Sequence, residues 1–206
     1  MDRFLKFFLL AATLVASTLT ASSQTLVDRL PAGTLHLLDA KQRQVMVQRY
    51  KLGQHPVRIQ NIAGGETVLD SLSDTYLHIR PTASDEITVQ RYDDRMVMIH
   101  TVYTPEPDSR LTFLDTLGNE QKTEIKVSAR DFYVKNDTLK EAEYLKYALP
   151  FVPYWQQNGD TLKVSWNVRA YLTHEDWARI ALSHRSDPIV YLRENRKFKK
   201  TKIPKI

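Results

Sequence analysis

The sequence predicts an α+β fold. It comprises a single antiparallel, mostly meander β-sheet of about 7–9 strands, an N-terminal amphipathic helix and a second short helix near the C-terminus. Three observations predict it. Between residues 66 and 126 the apolar residues recur with period two, in runs rich in Val, Ile, Thr, Tyr and Phe. The links between runs have turn compositions such as "SD", "TASD", "DD" and "TPEPDS". They are too short for the crossover of about a dozen residues that parallel neighbours need. Finally, Asn158-Gly159 separates two alternating runs, a strong hairpin signal.

The elements follow in order. Residues 1–23 read as a secretory signal peptide: Arg3 and Lys6 are followed by an uncharged apolar run from Phe7 to Ala16 and small residues at Ala21-Ser22-Ser23. The strongly apolar part is about ten residues, half of what a membrane span requires. Cleavage is expected before Gln24, which leaves no transmembrane segment. The first helix begins after Asp39, whose carboxylate can cap it while Gln42 reaches back. It carries Val45, Met46 and Tyr50 as an apolar stripe, and Gly53 stops it. "ETVLDSL", "TYLHIRP", "EITVQRY", "MVMIHTVY" and "RLTFLDT" are the meander strands, followed by "KTEIKVS". Residues 129–143 are irregular, with one helical turn near "TLKEAEYL".

An Asn158-Gly159 type I′ turn would pair Gln157 with Asp160. Trp155 then faces Leu162, Pro153 faces Val164 and Phe151 faces Trp166, all on one apolar face. Pro153 places its strand at an edge or a bulge. Thr173 caps the second helix, Asp187-Pro188 ends it, and "IVYLREN" forms a last strand. Residues 24–198 therefore make one domain, and 199–206 a basic, disordered end.

Charge is unevenly placed. The whole chain holds 29 basic and 24 acidic residues. From Tyr191 to Ile206 there are seven basic residues and one acidic, so residues 24–190 carry a net charge of −2. That body offers no basic stripe for nucleic acid. Arg196, Lys197, Lys199, Lys200, Lys202 and Lys205 are candidates for contact with acidic envelope surfaces.

The chemistry is sparse. With no cysteine there is no lipoprotein anchor, no disulfide frame and no thiol nucleophile. Six glycines supply no phosphate-binding loop, so no cofactor is expected. His36, His55, His78, His100, His174 and His184 show no metal-ligand spacing, and neither a metal site nor catalytic residues are assigned. "SHRSD", Ser183 to Asp187, reads as a polar helix end rather than a catalytic triad. Trp155 and Trp166 read as core, while Tyr147 and Tyr154 are the candidate exposed ligand contacts.

The tripeptide Asp-[Ser/Thr]-Leu occurs four times, with Ser71, Thr116, Thr138 and Thr161 at its centre. Composition alone predicts roughly a quarter of one occurrence. Turn-closing aspartates before strands produce the pattern in a meander. It also resembles the O-glycosylation acceptor motif of exported proteins in Bacteroides-type bacteria, which makes those four hydroxyls candidate acceptors.

"LPAGTLHLLDAKQR", "LSDTYLHIRPT", "GDTLKVSWNV" and "DPIVYLRENRKF" together resemble an exported family of Bacteroides-type bacteria known as a domain of unknown function. The resemblance brings no assigned activity. Address, pattern and the sparse chemistry point to a non-enzymatic binding protein in the periplasm or on the surface of a Gram-negative bacterium, with an envelope protein or glycan as partner. One alternative is an envelope hydrolase or glycan-active enzyme using Asp93, Asp94, His78 or His100. The other is a structural subunit, which a large exposed apolar patch would indicate.

Overall fold

The computed structural model describes residues 24–31, 33–103, 105–148 and 152–201. The expected signal segment, Phe151, Lys202 and Lys205 lie outside them. Among the described residues eleven strands form two antiparallel sheets, so the single expected sheet is divided. The first is a seven-stranded meander in chain order: β1 (Val57–Gln60), β2 (Glu66–Leu72), β3 (Tyr76–Arg80), β4 (Asp85–Arg91), β5 (Met96–Tyr103), β6 (Pro107–Leu114) and β7 (Glu120–Gln121). The second contains β8 (Pro153–Asn158), β9 (Thr161–Trp166), β10 (Ile189–Glu194) and β11 (Lys197–Lys200), ordered β11-β10-β9-β8. Pro153 is on an edge strand, where its missing N–H costs no ladder bond.

Helix α1 (Ala40–Lys51) starts in the expected capping box. The Gln42 N–H donates to Asp39 Oδ1 at 2.7 Å, and the Asp39 N–H donates to Gln42 Oε1 at 2.9 Å. α2 (Glu141–Tyr147) is the helical turn expected in the irregular stretch. α3 (His174–Ile180) is capped by Thr173, whose Oγ1 accepts from the Asp176 N–H at 3.1 Å.

The seven-stranded sheet has two different faces. Leu69, Leu77, Ile79, Ile87, Val89, Met96, Met98 and Leu114 pack beneath α1, with Met46, Leu26, Val27, Leu35 and Leu38 above them. On the reverse, Val97, Ile99 and Phe113 are covered by Trp155, Leu162, Val164, Trp166, Ile189 and Tyr191 of the second sheet and by Phe132 and Tyr144. Both tryptophans are thus core. Over β2–β4 that reverse face is polar and partly exposed.

Three features depart from the expected pattern. The β8–β9 register pairs Asn158 with Thr161, Trp155 with Val164 and Pro153 with Trp166. Gly159-Asp160 therefore occupies the turn; Gly159 has φ 54° and Asp160 stays out of the left-handed region, as a Gly-first type II′ turn requires. The turn moves by one residue and the cross-strand register by two, so the same side chains still share a face. Second, the polar helix end "SHRSD" is partly packed inside: Ser183, which closes the 3₁₀ turn after α3, is buried and accepts from Asn136 Nδ2 at 2.8 Å.

The third departure is at the basic end. Lys199 and Lys200 lie in β11, opposite Leu192 and Tyr191, and the Thr201 N–H donates to the Val190 carbonyl. Asn195 and Arg196 make the β10–β11 turn with φ 50° and 66°. Two successive positive φ values are the type I′ signature. Phe198 points into the core, with its ring centroid 6.0 Å from those of Tyr92 and Phe113.

Candidate functional site

A β-bulge organises the open part of the sheet. Leu69 pairs with Ile79, but the next pair is Ser71 with His78, so Asp70 is the extra residue. The bulge lets Leu69 and Leu72, three apart, both face the core and turns Asp70 and Ser71 together onto the open face. Antiparallel register supplies the rest: His78 stands opposite Thr88 in β4, and Ile79 opposite Ile87 puts Arg80 beside Glu86.

These strands assemble a charged network. Arg80 grips Asp70 with two hydrogen bonds, Nε to Oδ2 and Nη2 to Oδ1, both 2.8 Å. Such forked pairing fixes both groups in one geometry. His78 lies between two carboxylates, Nδ1 3.9 Å from Asp70 Oδ2 and Nε2 3.5 Å from Glu86 Oε1. The Tyr103 hydroxyl donates to Glu86 Oε2 at 2.9 Å, and Tyr154 adjoins Tyr103.

The electrostatics follow from this arrangement. The Arg80 hydrogen bonds, opposed by burial, hold Asp70 below the usual carboxylate range. Glu86 is lowered first by His78, against burial, with help from Tyr103. The neighbouring Glu86 carboxylate raises His78 above an ordinary histidine despite burial, and Asp70 adds to the effect. Burial, then Glu86, pushes Tyr103 upward. The network thus favours a protonated imidazole bridging two carboxylates, with a guanidinium closing one end and a phenol the other.

Of the residues singled out from sequence, Ser71, His78 and Tyr154 fall at this face. The others do not gather there. Tyr147 packs against the core and its hydroxyl accepts from Arg179 Nη1 at 3.3 Å. His100 pairs outward with Asp85 at 3.6 Å. Asp94 is committed to Arg95 at 3.0 Å and Arg193 at 2.7 Å, and Arg193 stacks 4.1 Å above the Tyr92 ring. That junction ties the β4–β5 turn to the second sheet, with Tyr92 donating to the Gly159 carbonyl at 2.7 Å. Asp94 therefore has a binding role inside the fold, while His78 and His100 pair with other acids, Asp70 and Glu86 for the first and Asp85 for the second. Among the described residues, no group of three His, Cys, Asp or Glu side chains could hold a metal ion.

The four candidate acceptor hydroxyls are spread over the surface. Ser71 is on the open face beside His78, Thr116 is in the β6–β7 turn, Thr138 is exposed in a loop, and Thr161 opens β9. In the basic strand, Lys199 meets Glu194 at 3.3 Å and Lys200 meets Asp131 at 3.1 Å.

His184 makes a second titratable cluster. Its ring centroid lies 4.7 Å from Trp166, 5.4 Å from Trp177 and 6.3 Å from Phe132. Its Nδ1 is 3.2 Å from the Tyr144 hydroxyl. Burial pushes this imidazole down to about 4. No spacing rule marks it, because the aromatic residues around it come from four separate segments.

The model of the family described as "Protein of unknown function (DUF3256)" matches residues 15–198. The chain belongs to this family. The search of curated proteins returned no match. Among solved structures, the DUF3256 chain is similar to a domain of an uncharacterized protein from Porphyromonas gingivalis W83. The identity is 19%, 84% of this chain and 95% of that one are covered, and the TM-score is 0.71. At that identity the likeness shows a shared fold. The sequence resemblance to a domain of unknown function is thereby upheld, and no helix among the described residues is long and apolar enough to cross a membrane.

Proposed function

We propose that this DUF3256 protein is exported by its residue 1–23 segment and works in the cell envelope as a non-enzymatic binding protein. Its contact surface is the open face carrying Asp70, His78, Arg80, Glu86, Tyr103 and Tyr154. One observation carries the reading: a half-buried, internally paired charge network on an otherwise uncovered sheet face. Charges held this way keep a fixed pattern for a polar partner, a protein or a glycan, and two tyrosines add rigid amphipathic contact area. Asp70 and Glu86, 3.9 and 3.5 Å from the two ring nitrogens of His78, favour its charged form, which makes it a weaker general base. Basic β11 belongs to the same proposal as a contact for acidic envelope surfaces. O-glycosylation would follow hydroxyl accessibility, with Thr138 favoured over Ser71, Thr116 and Thr161.

The test combines fractionation with binding. The protein should appear in the periplasmic or surface fraction at the mass of residues 24–206, plus any glycan. A panel of envelope glycans and purified envelope proteins should contain a ligand that the His78→Ala, Arg80→Ala variant loses while its melting temperature holds. Unprocessed cytoplasmic protein would overturn the export reading. Turnover of a glycan that His78→Ala abolishes would replace the binding reading with an enzymatic one.

A further inference from the structure

α1 is a basic helix with no acidic residue of its own: Lys41, Arg43, Arg49 and Lys51 fall within its twelve residues. Some cations elsewhere meet carboxylates, as Arg80 meets Asp70, Arg193 meets Asp94 and Lys200 meets Asp131. Among the described residues, none of the four α1 side chains has an ion-pair or hydrogen-bond partner. Neither has Arg91 at the end of β4.

Four of these five cations border two hollows beside the helix, and Arg43 lines neither. A hollow of about 280 Å³ at the C-terminal end of α1 is lined by Lys51, Arg91, His55 and Tyr50, with Asp74 its one carboxylate. Another, of about 310 Å³, lies between α1 and edge strand β1, lined by Lys41, Arg49 and Arg58. Arg58 is shared with Glu66 at 2.6 Å. From Lys41 to Lys51 the helix rises about 15 Å. Several uncompensated positive charges over that length make a local potential that concentrates anions, and a bound polyanion releases its counterions.

We infer that α1 and its two hollows bind an acidic glycan chain whose carboxylated sugars sit in both hollows. Each hollow is at the small end of ligand pockets, which run about 300–1,000 Å³, so each suits a sugar ring rather than a protein element. A bilayer presents a plane and needs a row of apolar anchors beside the charges. α1 instead packs Met46 and Val47 against the core and leaves Leu52 exposed just past its end. Lys41, Arg49, Lys51 and Arg91 lie outside the open-face network, so either site can fail without the other.

Binding of an oligogalacturonate to the purified protein, measured by calorimetry across a salt series, tests this. Affinity should fall steeply with salt, and the methyl-esterified oligomer should not bind. Lys51→Ala with Arg91→Ala, and Lys41→Ala with Arg49→Ala, should each weaken binding roughly tenfold. Lys122→Ala with Lys126→Ala, two exposed cations outside α1 and β11, should leave it unchanged. Gln replaces Ala in any pair whose melting temperature falls. Wild-type affinity in both α1 variants, or an equal loss in the Lys122→Ala, Lys126→Ala variant, overturns the site. If oligothymidylate or phosphatidylglycerol vesicles bind as tightly and lose affinity in the same variants, the surface is a general polyanion or lipid contact and the glycan assignment falls.

Discussion

Acidification from pH 7 to pH 5 should destabilise the fold through His184. The unfolded-state value for histidine is about 6.5, and in the fold burial among Phe132, Tyr144, Trp166 and Trp177 lowers it to about 4. A depressed imidazole means that the unfolded chain takes up the proton first. Stability is therefore full above the unfolded value and drains away as pH falls towards the folded one. The two values give a loss of about 2 kcal/mol at pH 5 and about 3 kcal/mol once both forms are protonated. For a chain of this size 2 kcal/mol lowers the melting temperature by about 4–8 °C. Urea titrations at pH 7, 6 and 5 measure it, with His184→Gln as the reference that keeps a polar group near the Tyr144 hydroxyl without the titration. His78 has the opposite sign: its raised value stabilises below the ordinary histidine range and weakens as pH climbs through the folded value. The wild-type minus His184→Gln difference isolates His184 from it and from the carboxylates. Parallel losses in the two proteins, or an NMR titration of His184 near the ordinary histidine value, would refute the reasoning.

Three further outcomes follow from named contacts. Gly118 has φ 96°, and a Cβ there would come within 1.8 Å of the Arg29 carbonyl oxygen. Gly118→Ala should therefore cost about 3 kcal/mol, read as a lower urea midpoint; a neutral result would mean that this turn does not touch the Arg29 backbone. Arg196→Gly removes the penalty of a non-glycine residue at φ 66° and should stabilise by about 0.5–1 kcal/mol in the same assay. Glu86→Gln should drop the His78 titration towards an ordinary histidine, and the loss of stability as pH rises should shrink with it; an unmoved NMR titration would remove Glu86 as the cause.

Much of the architecture was legible because it is local. Period-two runs joined by two-to-six-residue links imply a meander, and Asp39 with Gln42 and Thr173 with Asp176 announce two helix starts. Alternation reports which side of a strand is apolar, not what covers it, so it does not reveal that Val97, Ile99 and Phe113 lie under a second sheet. β11 escaped notice because Phe198 is the one apolar residue in "KFKK" and its turn, Asn195-Arg196, lacks glycine. The hairpin register slipped because Asn-Gly and Gly-Asp are both acceptable two-residue turns. The charged face depends on the bulge at Asp70. Its sequence trace is the three-residue spacing of Leu69 and Leu72, a break in the two-residue rhythm. That break, followed outward, places Asp70 with His78 and Arg80. Pairing His78 with Glu86 requires the β3–β4 register as well.

The position of Phe198 also makes the second hydrophobic layer a late-closing contact. The meander pairs strands that are neighbours in sequence, whereas Phe198 reaches Tyr92 and Phe113 from the distant strand β11. Contacts between distant segments cost more loop entropy to form than local ones. A molecule in which β11 has not yet docked therefore carries a wet apolar surface that its finished form hides, one that a chaperone can hold.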